Sequence, residues 1–246
     1  MSRPIADGLT EGMEMLVHRR WESLDAADHG WLRAKHHFQV DAAGNPAHHP
    51  LGSLIVWNDD EIAVGGGFPL HGHRDMEIVT YVRQGTLEHR DTLGSIGTIR
   101  AGEVQVMSAG RGIRHGESNR GSEPLRLYQI WLLPRERGGD PRGETRPFPE
   151  AARSGSFAVL ASGFPGDGDA LPIRANARLL AATLGPGDRL THSFAPHSNA
   201  YLVVASGRIA VDGEFVGLRD GVAITNAASI DVAALEHSEL VMVETR

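Results

Sequence analysis

Gly65-Gly-Gly-Phe-Pro-Leu-His-Gly-His-Arg-Asp-Met-Glu77 and, further along, Arg111-Gly-Ile-Arg-His-Gly-Glu-Ser-Asn119 decide how the rest of this chain is read. His71 and His73 stand two residues apart, as do His115 and Glu117, and in an extended strand that spacing turns both members of a pair to one face. Two such pairs on facing strands converge on a single ion. The Gly-rich entry, the His-x-His, a strand hairpin, Gly102 and then the His-x-Glu with Asn119 together mark a metal centre within the first half of the chain. His36-His37 and His48-His49 have no partner motif and read as loop or strand-edge imidazoles. His192 and His197 lack an accompanying pair and read as structural or surface residues.

Three imidazoles and one carboxylate, His71, His73, His115 and Glu117, suit a borderline divalent transition metal rather than Ca or Mg. On an octahedral ion such a set leaves positions open, as in a reactive rather than a structural site. Glu77 shares the strand parity of His71 and His73. It stays outside the ligand set, with orientation of an imidazole as an alternative role. Arg74, Asp75 and Arg111 read as packing, turn or mouth residues.

Composition frames these motifs. The chain has 246 residues, 41% hydrophobic and 22% charged, which is the make-up of a globular protein with a core. With 30 Gly and 13 Pro it favours short strands and tight turns over long helices. A net charge of −7 argues against gripping a nucleic-acid backbone. The absence of cysteine excludes disulfides, thiolate metal sites and cysteine nucleophiles. The start, Met1-Ser-Arg-Pro-Ile-Ala-Asp-Gly, lacks the apolar run of a secretory signal, and apolar runs such as Ala200–Ala205 are far too short to span a bilayer. A soluble, cytoplasmic protein is expected.

Short apolar runs separated by turn signals continue along the whole chain: Leu54–Trp57, Glu77–Val82, Val104–Met107, Leu125–Leu133, Ala200–Ala205, Gly221–Thr225 and Leu240–Val243. Asp212-Gly213 between apolar strands predicts a two-residue hairpin. From Pro134 to Ser156 large apolar residues thin out, as in a linker or long crossover. A strand–Gly–strand hairpin followed by a Gly-led strand occurs on both sides of it, so an internal duplication is expected. The reading is all-β: a metal-binding domain over 1–133, a linker over 134–156, and a second domain without metal over 157–246.

The runs Phe68-Pro-Leu-His-Gly-His-Arg-Asp-Met-Glu-Ile-Val-Thr-Tyr-Val82, Met107-Ser-Ala-Gly-Arg-Gly-Ile-Arg-His-Gly-Glu117 and Leu127-Tyr-Gln-Ile-Trp-Leu-Leu-Pro134 resemble the pirin family of the cupin superfamily, in particular its quercetinase-like bacterial members. The four residues between Gly110 and His115 match the pirin form of the second cupin motif. The resemblance is close over the first part of the chain and only architectural beyond. It implies a bicupin, two antiparallel β-barrels of which the second is degenerate, and it carries over the same ligands, His71, His73, His115 and Glu117.

The cofactor it implies is one divalent metal, Fe(II) foremost, with Mn, Ni, Cu or Zn as alternatives. The activity it implies is that of a quercetin 2,3-dioxygenase, opening a flavonol ring with O2 and releasing CO. Glu117 would then act as both ligand and base toward the flavonol 3-hydroxyl. The expected partners are a flavonol-like aromatic substrate and O2, with a protein partner possible and neither nucleic acid nor membrane. The alternatives are a metal- or redox-dependent regulatory binding protein without turnover, and a cupin isomerase.

Overall fold

The computed structural model describes residues 15–40 and 43–246. The N-terminal residues on which the absence of a secretory signal was read lie outside them.

The strands of the first half are β1 (Met15–Arg19), β2 (Asp25–Asp28), β3 (Leu32–His36), β4 (Leu54–Ile62), β5 (Gly67–His73), β6 (Glu77–Gln84), β7 (Thr86–Asp91), β8 (Ile96–Arg100), β9 (Glu103–Ser108), β10 (Ile113–Asn119), β11 (Leu125–Leu132) and β12 (Arg142–Pro147). Those of the second are β13 (Ala158–Ser162), β14 (Leu171–Pro172), β15 (Ala177–Leu184), β16 (Arg189–Ser193), β17 (Asn199–Ser206), β18 (Ile209–Val211), β19 (Glu214–Val216), β20 (Gly221–Thr225), β21 (Ser229–Ala234) and β22 (Ser238–Thr245). The helical elements among the described residues are two short 3-10 turns, Trp21–Ser23 and Glu150–Arg153. The all-β, two-barrel expectation holds.

Each barrel closes a seven-stranded sheet with a four-stranded one. The first combines the order β12-β9-β6-β11-β4-β3-β2 with β5-β10-β7-β8, and the second β1-β20-β17-β22-β15-β13-β14 with β16-β21-β18-β19. The run β4 to β11 recurs as β15 to β22 in the same spatial order, so the duplication legible in the hairpins extends to the topology. The Asp212-Gly213 hairpin is present, and both residues take the positive φ (49° and 87°) that a tight two-residue turn demands.

The edges of the large sheets cross the expected domain boundaries. β1 pairs with β20 in the second barrel, and β12, inside the stretch read as a linker, pairs with β9 in the first. The segment also packs on the site's own turn: Arg111 N–H donates to the Gly139 carbonyl (2.9 Å), and a Cβ on Gly110 would lie 2.4 Å from that same oxygen. Gly110 takes φ +50°, so both its backbone and its surroundings favour glycine there.

The two large sheets face each other. Their inner surfaces alternate out of each barrel, so β4 sends Trp57 between the sheets, β6 sends Val79 and Tyr81, β11 sends Tyr128 and Ile130, and β17 sends Tyr201 and Val203. Trp57 packs on Tyr128 (5.3 Å between centroids) and on Tyr201 (5.6 Å), which joins the halves through aromatic contact. The fully buried Asp59 sits at the rim of this layer. It accepts from both Arg219 of the second barrel (2.6 and 2.7 Å) and Arg83 of the first. His37, expected at a loop or strand edge, is wholly buried here, its Nδ1 against the Tyr201 hydroxyl (2.8 Å). His36 is likewise buried, against Asn58 Oδ1 (2.9 Å). The adjacent pair misled because strand alternation sends one ring into a barrel and the other between barrels.

Removing a buried carboxylate that neutralises two guanidiniums leaves both unpaired in the interface. Asp59→Ala is expected to destabilise the protein by about 3 kcal/mol in urea unfolding, whereas Glu144→Ala, whose arginine partner is well exposed, changes it by less than about 1 kcal/mol.

Candidate metal centre

The centre is built on three adjacent strands of the four-stranded sheet. β10 lies between β5 and β7. Register sets its neighbours: His115 is opposite His71 on β5 and Asp91 on β7, while Glu117 is opposite Phe68 and His89. Between His115 and Glu117 the pairing with β5 slips by a bulge. Gly67 makes room for this irregular stretch, since a Cβ there would come within 2.3 Å of the Glu117 carbonyl. The two pairs thus stand on neighbouring antiparallel strands, with His71 and His73 grouped with His115, and Glu117 grouped with His115 and His89 rather than with the first two histidines.

The imidazoles crowd together. Ring centroids of His71 and His115 are 4.4 Å apart, those of His71 and His73 4.8 Å, and those of His73 and His115 5.0 Å. The possible ligand atoms of these three residues lie within 4.8 Å of one another, as do those of His89, His115 and Glu117. His71 Nδ1 meets the Pro69 carbonyl at 2.8 Å, which fixes the proton there and turns Nε2 free for an ion. Glu117 Oε2 accepts from Gln129 Nε2 (2.9 Å), and Gln129 Oε1 accepts in turn from the Thr80 hydroxyl (3.0 Å).

Whether these residues fit a metal is answered by what they leave unpaired. His115 Nδ1 and Nε2, Glu117 Oε1 and His89 Nδ1 are all buried without a hydrogen-bond partner. Such atoms are costly to bury unless something occupies them, and a cation satisfies imidazole and carboxylate lone pairs together. The electrostatics agree. Burial and the neighbouring imidazoles pull His115 down to about 3, burial pulls His73 down to about 4, and both rings stay neutral donors over the physiological range. Burial pushes the Glu117 carboxyl up to about 7 against the opposing Gln129 hydrogen bond, so it awaits a positive charge. The donor set of nitrogen and oxygen fits a divalent transition ion.

The remaining sequence candidates go elsewhere. Glu77 is buried but faces the other barrel, accepting from the Ser108 hydroxyl (2.6 Å) and the Arg174 backbone N–H (2.9 Å). It orients no imidazole, because the turn at residues 74–76 places it on a new strand whose alternation is independent of β5. Asp75 accepts from Gly138 N–H (2.6 Å) and Arg111 pairs with Asp140 (2.7 Å), both tying the site's turns to the segment after β11. Asn119 Nδ2 donates to the Ile62 and Glu123 carbonyls (2.9 and 2.8 Å) and so closes the strand end.

Sequence reasoning overlooked His89, Asp60 and Gln129. His-x-Asp at His89 and Asp91 was the available signal, a third i,i+2 pair. Asp60 is fully buried, and burial together with Asp59 and Glu117 pushes it up to about 8.

The second barrel lacks these donors. Its interior is filled by Leu180, Leu202, Val204, Ile230, Val232 and Met242, and β16, the counterpart of β5, contributes Leu190 to the same core. His192 lies between the rings of Phe157 and Phe194 with Glu244 at 3.4 Å.

A cleft of about 390 Å³ adjoins His73 and is lined also by Gly72, Arg74, Thr92, Gly112, Ile113 and Arg114; the other donors do not line it. Trp131 packs edge-on against His73 (5.0 Å). A double barrel with one polar, donor-lined interior opening to solvent and one apolar interior defines a bicupin with a single metal-directed centre. Residues 17–132 match the pirin family model, residues 159–245 match that of the quercetinase C-terminal cupin domain, and the chain belongs to the pirin family.

Among relatives, a pirin-like protein of Caulobacter vibrioides is 50% identical over 94% of this chain and 99% of its own. The quercetin 2,3-dioxygenase of Escherichia coli K12 is 38% identical, covering 93% and 97%. The crystal structure of YhhW from Escherichia coli superposes with a TM-score of 0.89 at 36% identity, over 94% of this chain and 98% of that one. The nickel(II) complex of the same bacterial pirin gives 0.87, over 94% and 99%. No helix among the described residues is long and apolar enough to cross a membrane.

Because the elevated Glu117 must lose its proton to meet a cation, Ni(II) affinity should climb as pH rises from 5 to about 7 and flatten above. Calorimetric titrations of metal-free protein across this range check the slope, and Glu117→Gln should flatten it. For Asp60, whose folded pKa lies far above its ordinary value, the unfolded chain ionises first, so its penalty on stability grows from about pH 4 to about pH 8. Asp60→Asn should therefore raise the thermal midpoint of metal-free protein more at pH 8 than at pH 5.

Proposed function

We propose that this protein is a metal-dependent dioxygenase of the quercetin 2,3-dioxygenase type, with His71, His73, His115 and Glu117 holding one divalent ion, Fe(II) foremost. The observation that carries the reading is the set of buried, unpartnered nitrogen and oxygen atoms on His115 and Glu117, beside the half-buried His71 and His73. The dioxygenase name of relatives and the nickel complex of a related pirin support the same direction.

A bound divalent ion would supply positive charge that acidifies a substrate hydroxyl, with open positions for that oxygen and for O2. The chain's residues do the rest. Gln129 holds Glu117 Oε2, so Oε1 is the oxygen that would meet the ion and, as that contact loosens, receive the hydroxyl proton. His73 and His115 remain neutral and so do not compete for it. Trp131 beside His73 offers an aromatic wall to a planar substrate. The products of a flavonol are the ring-opened ester and CO.

Glu117→Gln is expected to lower kcat for quercetin at least about 100-fold, the usual scale of a lost general base, in oxygen-uptake assays normalised to bound metal. Full activity at unchanged metal content would remove Glu117 from the proton step, and flavonol-independent oxygen uptake would remove the substrate class.

A further inference from the structure

His89 and Asp91 form a pair that neither the fold nor the proposed reaction requires. Both side chains point into the barrel from β7, and both are almost fully inaccessible. His89 Nε2 faces Asp91 Oδ2 at 3.2 Å, and the carboxylate is itself fastened by the Leu93 and Ser95 backbone N–H groups (2.9 and 3.1 Å). A carboxylate on one ring nitrogen fixes the proton there and leaves the other nitrogen as a lone-pair donor, which is the usual support for a metal-binding imidazole. The other nitrogen, Nδ1, is buried and has no partner.

The register then decides where it points. His89 sits directly opposite Glu117, whereas the bulge on the other side of β10 sets Phe68, not His71 or His73, opposite that carboxylate. The donors consequently fall into two overlapping groups: an outer one of His71, His73 and His115, and an inner one of His89, His115 and Glu117, each with its ligand atoms within 4.8 Å. His115, with both ring nitrogens unpartnered, belongs to both.

We propose that His89 is a metal ligand, and that with His115 and Glu117 it forms an inner position for a divalent transition ion, distinct from the outer position at His71, His73 and His115. The inner position lies beside a separate cleft of about 140 Å³ lined by His89, Asp91, Gln105, Met107 and Glu144 among others. The ion thereby has two stations along the barrel, a deep one and one exposed to substrate. The proposal rests on the barrel's holding a divalent ion, not on the dioxygenase reaction.

The test is Ni(II) binding to metal-free protein by calorimetry, with bound nickel counted by elemental analysis after desalting and folding checked by near-UV circular dichroism. His71→Ala/His73→Ala is expected to retain one nickel per chain with affinity reduced about 10- to 1,000-fold, and adding His89→Ala to abolish that binding. Adding Asp91→Asn instead should weaken it about 10- to 100-fold, the scale on which partners behind metal-bound imidazoles act. His89→Asn serves in place of alanine if the triple variant does not fold. Loss of all nickel in the folded double variant, or equal binding with and without His89, overturns the inner position. Absence of nickel from the wild-type chain would instead overturn the metal reading beneath the proposed function.

Discussion

Backbone pairing of β10 with both of its neighbours is the constraint on which the rest of the site depends. Hydrogen-bonded register is stiff, and a slip of one residue would turn His115 and Glu117 out of the barrel together. The cost of holding unpaired imidazole nitrogens and a carboxylate oxygen in a dry interior is met by that rigidity, because no single side chain can relax toward solvent without breaking a ladder. The bulge after His115 is the one place where the ladder yields, and it is what sets the environment of Glu117 apart from that of the histidines.

The two barrels show how little of a common topology is chemistry. The same strand order and the same packing between large sheets surround a polar interior in one and an apolar interior in the other. In the second barrel Ile230 and Val232 occupy the strand that corresponds to β10, so packing there strengthens the core where the first barrel surrenders core volume to Asp60, Gln129 and the donors. The second barrel's contribution to the site is mechanical. It supplies Arg219 to Asp59, and the Arg174 backbone to Glu77, thereby bracing the strands β4 and β6 that back the metal-directed sheet.

Much of this was legible in the sequence because strands have a period of two and the deciding pairs are two residues apart. His71, His73, His115 and Glu117 could be assigned to one face without coordinates, and the Asp212-Gly213 turn and the duplication likewise depend on local signals. Glu77 stays outside the ligand set, and the alternative that it orients an imidazole fails because parity is counted within a strand and a turn resets it. His37 was misjudged because a buried imidazole bonded to Tyr201, 164 residues away, has no local mark. Asp60 and Gln129 escaped for the same reason: a carboxyl or amide inside a strand looks like a solvent-facing residue until the barrel closes around it. The strand at Arg142–Pro147 escaped because an edge strand, paired on one side, needs little apolar character.

The crossing of β1 and β12 between the halves has a consequence for the order in which the molecule can be completed. The partner of β1 is β20, about two hundred residues further along the chain, and the last strand of the first barrel, β12, lies within the stretch that leads to the second. During synthesis β1 therefore emerges early and has no edge to join until the second barrel is nearly made. Contacts this distant in sequence are slow to form and bind the halves into one cooperative unit. The first barrel can assemble its donors before then, but the chain is topologically closed only when the second barrel captures the strand that preceded the first.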